Sequence, residues 1–188
     1  MTVSKTQAVV IGASAGAFDA LSAILPSLPI SFQLPVMVVV HLPPDKRSLM
    51  AGLFRHKCNL LVEEAEDKQP LCSGTIYFAP PDYHMLVERD HTLSLSQDAP
   101  VLYSRPSIDV LFESASDIFG STLLGIVLTG GNEDGAKGLQ SITAAGGKAL
   151  VQDPQSAFVP TMPEAAITSC PDAKILSLKA IAQYLREV

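Results

Sequence analysis

Residues 8–17 read Ala-Val-Val-Ile-Gly-Ala-Ser-Ala-Gly-Ala, and the fold turns on how this stretch is read. Ala8 to Ile11 form a short apolar run of the kind that makes a strand buried on both faces, and Gly12 to Gly16 supply the small residues of a tight turn. Beyond the turn, Leu21, Ile24, Leu25 and Leu28 recur at three- and four-residue spacing, the apolar face of a helix that Pro26 and Pro29 stop. Strand, turn and helix in that order are the opening unit of an α/β protein.

Similar runs occur at Val36 to Val40, Leu123 to Leu128, Lys148 to Val151 and Lys174 to Leu178, and the same reasoning makes them parallel strands. Helical stripes lie between them. Ile108, Leu111, Phe112, Ala115 and Phe119 share one face, with Ser107 as N-cap and Asp109 in the first turn, where an acid suits the helix dipole. Leu49, Met50, Leu53 and Phe54 form another stripe, opened by Pro43, Pro44 and Asp45. The middle differs: Thr75 to Ala79, Met85 to Glu88 and Thr92 to Ser96 are strand-like pieces parted by turn signals at Pro80-Pro81-Asp82 and Asp90, which predict an antiparallel meander on one edge. Glu63, Glu64, Glu66 and Asp67 read as a solvated segment. The expectation is one α/β domain over residues 1–188, three-layered, with a mostly parallel sheet, helices on both faces and that edge meander.

Composition narrows the function classes. Hydrophobic residues are 47% of the 188 and charged residues 17%, which excludes a disordered chain. The net charge of −6 and the absence of clustered Lys and Arg exclude a nucleic-acid backbone as partner. Cys58, Cys72 and Cys170 are too scattered for a metal site and read as reduced thiols of a cytoplasmic protein; no metal or organic cofactor is expected. The first twenty residues imitate a secretory signal, but Gly12 and Ser14 interrupt the apolar run and the stretch completes a strand, turn and helix start. No run approaches the roughly 18 apolar residues of a membrane span.

Gly12-Ala13-Ser14-Ala15-Gly16 satisfies G-x-S-x-G between strand and helix, the setting in which a turn exposes a serine hydroxyl beside free helix N–H groups. A plain structural turn and a phosphate-binding loop are the competing readings, although the dinucleotide fingerprint lacks its second and third glycines and no Walker lysine follows. His41 directly follows the run Val36 to Val40, and Asp134 lies in the loop Thr129-Gly130-Gly131-Asn132-Glu133-Asp134-Gly135 after another run. If these strands are parallel neighbours, a hydroxyl, an imidazole and a carboxylate arrive on one rim, where open α/β sheets place their sites. Singly, each has a bland reading: His41 as a hydrogen-bonded strand-end histidine, Asp134 as a helix N-cap. His56, His84 and His91 are read as structural or surface residues.

At this point the chain resembles the catalytic domain of the CheB chemotaxis methylesterases. The resemblance runs through I-G-A-S at 11–14, H-L-P-P at 41–44, E-A-E-D at 64–67, A-P-P-D-Y-H-M at 79–85, R-P-S-I-D-V-L-F at 105–112, L-T-G at 128–130, D-G-A-K-G at 134–138 and M-P-E-A-A at 162–166. It implies an α/β esterase with Ser14 as nucleophile, His41 as base and Asp134 as its carboxylate partner. It also implies glutamyl methyl esters on the cytoplasmic helices of methyl-accepting chemoreceptors as substrate, and deamidation of glutamines there. Ala15 and Gly131 are the backbone candidates for oxyanion donors, from their loop positions. Arg105, with Arg47 behind it, is the candidate for meeting an acidic receptor surface, against the reading of a solvated structural arginine.

The chain departs from the family pattern in two loops. Ala15 and Ala17 replace the Thr and the last Gly of G-A-S-T-G-G, and Gly131-Asn132-Glu133 replaces Met-Gly-x before Asp134. Members commonly carry an N-terminal receiver domain, for which the residues before the first strand leave no room; a free-standing esterase and a piece of a longer protein both fit. Two further function readings remain: a catalytically weak receptor- or ligand-binding module on the same fold, and an esterase for another protein or small ester.

Overall fold

The computed structural model describes residues 5–41 and 49–188; the helix opening read at Pro43, Pro44 and Asp45, and Arg47, lie outside them. Seven strands form one parallel sheet: β1 (Ala8–Ala13), β2 (Val36–Val40), β3 (Leu61–Glu64), β4 (Thr75–Phe78), β7 (Leu123–Val127), β8 (Lys148–Gln152) and β9 (Lys174–Leu176), in the order β3-β4-β2-β1-β7-β8-β9. The four central strands after β4 are buried nearly throughout, as continuous Val, Ile and Leu runs require of a sheet covered on both faces.

Alternate residues of each strand feed two cores. Val9, Ile11, Val36 and Val38 pack beneath α1 (Ala17–Ile24), α2 (Met50–Arg55) and α6 (Leu178–Arg186). Val10, Met37, Val39 and Val127 pack beneath α3 (Ile108–Phe119), α4 (Ala136–Ala144) and α5 (Thr161–Ser169). The result is the expected three-layer α/β architecture. From β1 the chain first builds one half of the sheet and then returns to place β7 on the other side of β1. The carboxyl ends of β1 and β7 are therefore a topological switch point, the usual crevice for a ligand site.

Two local expectations are corrected. Thr75–Phe78 is no part of a meander: it is β4, parallel to β2 and β3, and all four of its residues are buried. Among the described residues β5 (His84–Val87) and β6 (Leu93–Ser96) are the strands that pair antiparallel, as a separate two-stranded sheet whose Met85, Val87 and Leu93 join the core around α3. The acidic stretch read as solvated contributes Glu63 and Glu64 to edge strand β3, which Val62 anchors in the core.

Candidate active site

Three strand ends meet at the carboxyl rim. Ser14 follows β1 directly, and its N–H donates to Thr129 O across the β1–β7 pair (2.9 Å). His41 follows β2, its N–H donating to Ala13 O (3.1 Å). The hydrogen-bond ladder thus seats Ser14 between the end of β2 and the Thr129-Gly130 segment. A Cβ placed on Gly130 would lie 3.0 Å from Ser14 Cβ, so the serine side chain rests against that glycine.

Asp134 is wholly buried and is the best-bonded side chain of the site. Its Oδ2 accepts from His41 Nε2 (2.7 Å) and Ile108 N (2.7 Å), and its Oδ1 from Ser107 Oγ (2.9 Å) and Asp109 N (2.9 Å). Burial alone would raise the carboxyl's pKa, but the His41 bond and the Asp109 and Ile108 N–H groups outweigh it and hold the group below the ordinary carboxylate range. Rather than capping the helix that follows it in sequence, Asp134 sits on the N-terminus of α3, where the helix dipole favours an anion. This reach is possible because Ile108 lies directly on Gly12, where an added Cβ would fall 2.3 Å from Ile108 Cγ2. A side chain at 12 would have to displace that of Ile108, the first residue of α3.

Because ionised Asp134 can only accept, the ring proton of His41 sits on Nε2 and the lone pair on Nδ1. Nδ1 faces Ser104 Oγ at 3.5 Å, the outer limit of a hydrogen bond. Ser104 closes a two-residue turn from Val101, with Leu102 (φ 47°) and Tyr103 (φ 63°) both in the left-handed region. Among the described residues Ser14 Oγ makes no hydrogen bond, so the structure joins His41 to Asp134 and leaves the serine hydroxyl unengaged beside them. The amides of Ala15 and Gly131, both exposed, likewise find no acceptor among the described residues.

The loops that carry these groups are braced by residues the sequence reading passed over. Thr129 Oγ1 donates to Ala15 O (2.8 Å) and accepts from Val159 N (2.9 Å), while Thr129 N donates to the buried Gln152 Oε1 (2.9 Å). Asn132, one of the departures from the family pattern, accepts from Asp134 N through Oδ1 (3.2 Å), the local side-chain turn that Asn favours. His84 is buried and structural: its Nδ1 accepts from Ser107 N (3.1 Å) and its Nε2 donates to Ala99 O (3.1 Å). Arg105 is engaged within the chain, Nε and Nη2 donating to Asp82 Oδ1 and Nη1 to the carbonyls of Gln97 and Asp98. His56 caps the end of α2 and His91 rests edge-on to Phe119, both away from Asp134. Among the described residues no three His, Cys, Asp or Glu side chains gather as a metal-holding group, and no helix is long and apolar enough to cross a membrane.

A doubly covered parallel sheet with hydroxyl, imidazole and carboxylate at its switch point is the architecture of an α/β enzyme. The CheB methylesterase family model matches residues 9–185. A protein of Leptospira interrogans (serogroup Icterohaemorrhagiae serovar copenhageni, strain Fiocruz L1-130) is 45% identical over 94% of this chain and 92% of its own length. A protein-glutamate methylesterase/protein-glutamine glutaminase of Trichodesmium erythraeum (strain IMS101) is 35% identical over 96% of this chain, which spans about half (52%) of that relative. The crystal structure of the Thermotoga maritima CheB methylesterase catalytic domain superposes with a TM-score of 0.92 over 97% of this chain and 98% of that one, at 30% identity. The chain belongs to the CheB methylesterase family of carboxylic-ester hydrolases.

Proposed function

We propose that this protein hydrolyses glutamyl methyl esters on the cytoplasmic helices of methyl-accepting chemoreceptors, and deamidates glutamines there, by a Ser14-His41-Asp134 mechanism. The observation that carries the reading is the 2.7 Å bond between His41 Nε2 and a fully buried, ionised Asp134, made at the strand end next to Ser14. It fixes the ring tautomer and leaves Nδ1 as the basic nitrogen.

In this mechanism Nδ1 takes the Ser14 proton as Oγ attacks the ester carbonyl, and Asp134 stabilises the imidazolium that forms. The tetrahedral oxyanion is held by the N–H groups of Ala15 and Gly131, which no protein acceptor among the described residues claims, together with the positive end of α1. Methanol leaves with the proton from Nδ1. Water then adds to the acyl-enzyme with His41 again as base, releasing the glutamate side chain and regenerating Ser14. A glutamine substrate follows the same path with ammonia as leaving group. No step calls on a metal or an organic cofactor, and the proposed setting is the cytoplasm, where those receptor helices lie.

The test is methanol release from a methylated receptor cytoplasmic fragment. Wild type should release methanol and Ser14→Ala should not. Equal release from the two would overturn the assignment.

A further inference from the structure

Asp109 takes no part in the mechanism above, yet it is only 5% exposed and sits one bond away from Asp134. Its Oδ1 accepts from the N-cap Gly135 N (2.9 Å) and from Gly138 N (2.7 Å) in the first turn of α4. Asp134, two residues before α4, sends its carboxylate the other way, onto Ile108 N and Asp109 N at the start of α3. Each carboxylate thus caps the helix that the other one belongs to or precedes. The crossing is tight: a Cβ on Gly138 would fall 2.5 Å from Phe112 Cβ and 3.0 Å from Asp109 Cα. Only a glycine lets the 138 amide reach Asp109, which accounts for D-G-A-K-G at 134–138 and for the Asp in R-P-S-I-D-V-L-F.

We propose that Asp109 is a positioning residue for this site, locking Asp134 onto α3 and placing behind it a second negative charge that favours the imidazolium form of His41 during catalysis. This rests on the esterase reading.

The surroundings fit a charge that matters. A helix cap alone could be served by a neutral acceptor, and a second buried carboxylate beside Asp134 is costly. Burial first, and then the charge of Asp134, push Asp109 up to about 6 against the pull of the Gly138 and Gly135 amides. Glu113, a turn further along α3, adds to the same repulsion, and Lys137 on α4 faces the group while paired with Glu113 (3.1 Å). Glu133 is the remaining ionisable neighbour. It shares with Asp109 the wall of a cavity of about 570 Å³. From α5 the cavity receives only Ala165, Thr168 and Ser169.

The test is Asp109→Asn in the full chain, with Glu113→Gln as control. An asparagine oxygen keeps both α4 amides, so the fold should survive, with Tm at pH 7.5 unchanged or raised by a few degrees. On methylated receptor, kcat should fall roughly three- to tenfold with KM within about twofold, the signature of an interaction made in the transition state. The midpoint of the His41 ring titration, followed by NMR, should move down by roughly half a pH unit, the scale expected of one charge about two side chains away. The acid limb of kcat should follow it. Glu113→Gln should move the midpoint less than half as far.

An unmoved midpoint, or Tm and kcat falling together with the acid limb in place, would reduce Asp109 to a helix cap and overturn the proposal. The ring titration needs no substrate. A moved midpoint in a protein that releases no methanol would therefore sink the esterase reading and leave the coupling standing. If Asp109→Asn does not fold, wild type supplies the measurement: its His41 titration should be broadened by the Asp109 proton, and a single-proton curve would contradict the coupling.

Discussion

Ser14 and Asp134 leave neighbouring strands of one sheet, yet Asp134 is wholly buried and accepts four hydrogen bonds, whereas Ser14 is half-buried and its hydroxyl makes none among the described residues. The charge-bearing side of the site is assembled before any substrate arrives. An unsolvated carboxylate must be fully satisfied or it unfolds its surroundings, and a satisfied one holds the imidazole in a single tautomer. In the proposed mechanism the ester approaches on the serine side, which is the open one. Catalytic bonds on such a side commonly tighten only in the complex.

If this division is right, the two sides should fail differently. Ser14→Ala should cost the most rate, at least about 1,000-fold in kcat, and leave the melting temperature nearly unchanged. Asp134→Asn should lose roughly 100- to 10,000-fold in kcat and also destabilise by about 2–4 kcal/mol in urea unfolding, because an amide nitrogen would meet donors on α3 or His41. If the Asp134 variant kept its stability, the picture of a preassembled carboxylate side would be wrong.

The pH dependence of stability sharpens the contrast within the buried pair. Asp134 is held below its ordinary range, so its contribution is present at neutral pH and is lost as pH falls below about 4. Asp109 is raised to about 6, so the sign reverses: the folded state binds the proton more tightly, and ionising it above pH 6 costs stability. Urea unfolding should therefore show stability rising by on the order of 1–2 kcal/mol from pH 7.5 to about 5 and falling below 4, with the upper slope removed in Asp109→Asn.

Ser107→Ala removes one of four donors to Asp134 and should cost about 1 kcal/mol and a few-fold in rate. The smallest effect belongs outside this network. Arg105→Ala breaks a pair with Asp82 whose side chains are 22% and 43% exposed, so about 0–1 kcal/mol and a rate within twofold are expected.

The central strands were legible in the sequence, because continuous apolar runs such as Val36 to Val40 and Leu123 to Leu128 read as strands covered on both faces. The sheet was less legible toward its β3 edge, where even the buried β4 read as part of a meander. Leu61–Glu64 buries little beyond Val62, so its glutamates masked a strand, and Thr75–Phe78 ran into proline-rich turn chemistry that suggested a hairpin. That Ser14, His41 and Asp134 come to one rim could be read because strand ends in a parallel sheet share it. Which histidine nitrogen faces Asp134 could not, since it depends on where α3 crosses Gly12. Asp109 shows the same boundary: the first-turn preference placed it correctly on α3, but its carboxylate serves α4, a partner 26 residues away at Gly135.

The most direct test of the Ser14 mechanism is a fluorophosphonate probe followed by peptide mass spectrometry. Wild type should gain one adduct, mapped to Ser14, and His41→Ala should label far more slowly under the same conditions. An adduct elsewhere, or equal labelling rates in the two proteins, would contradict the account.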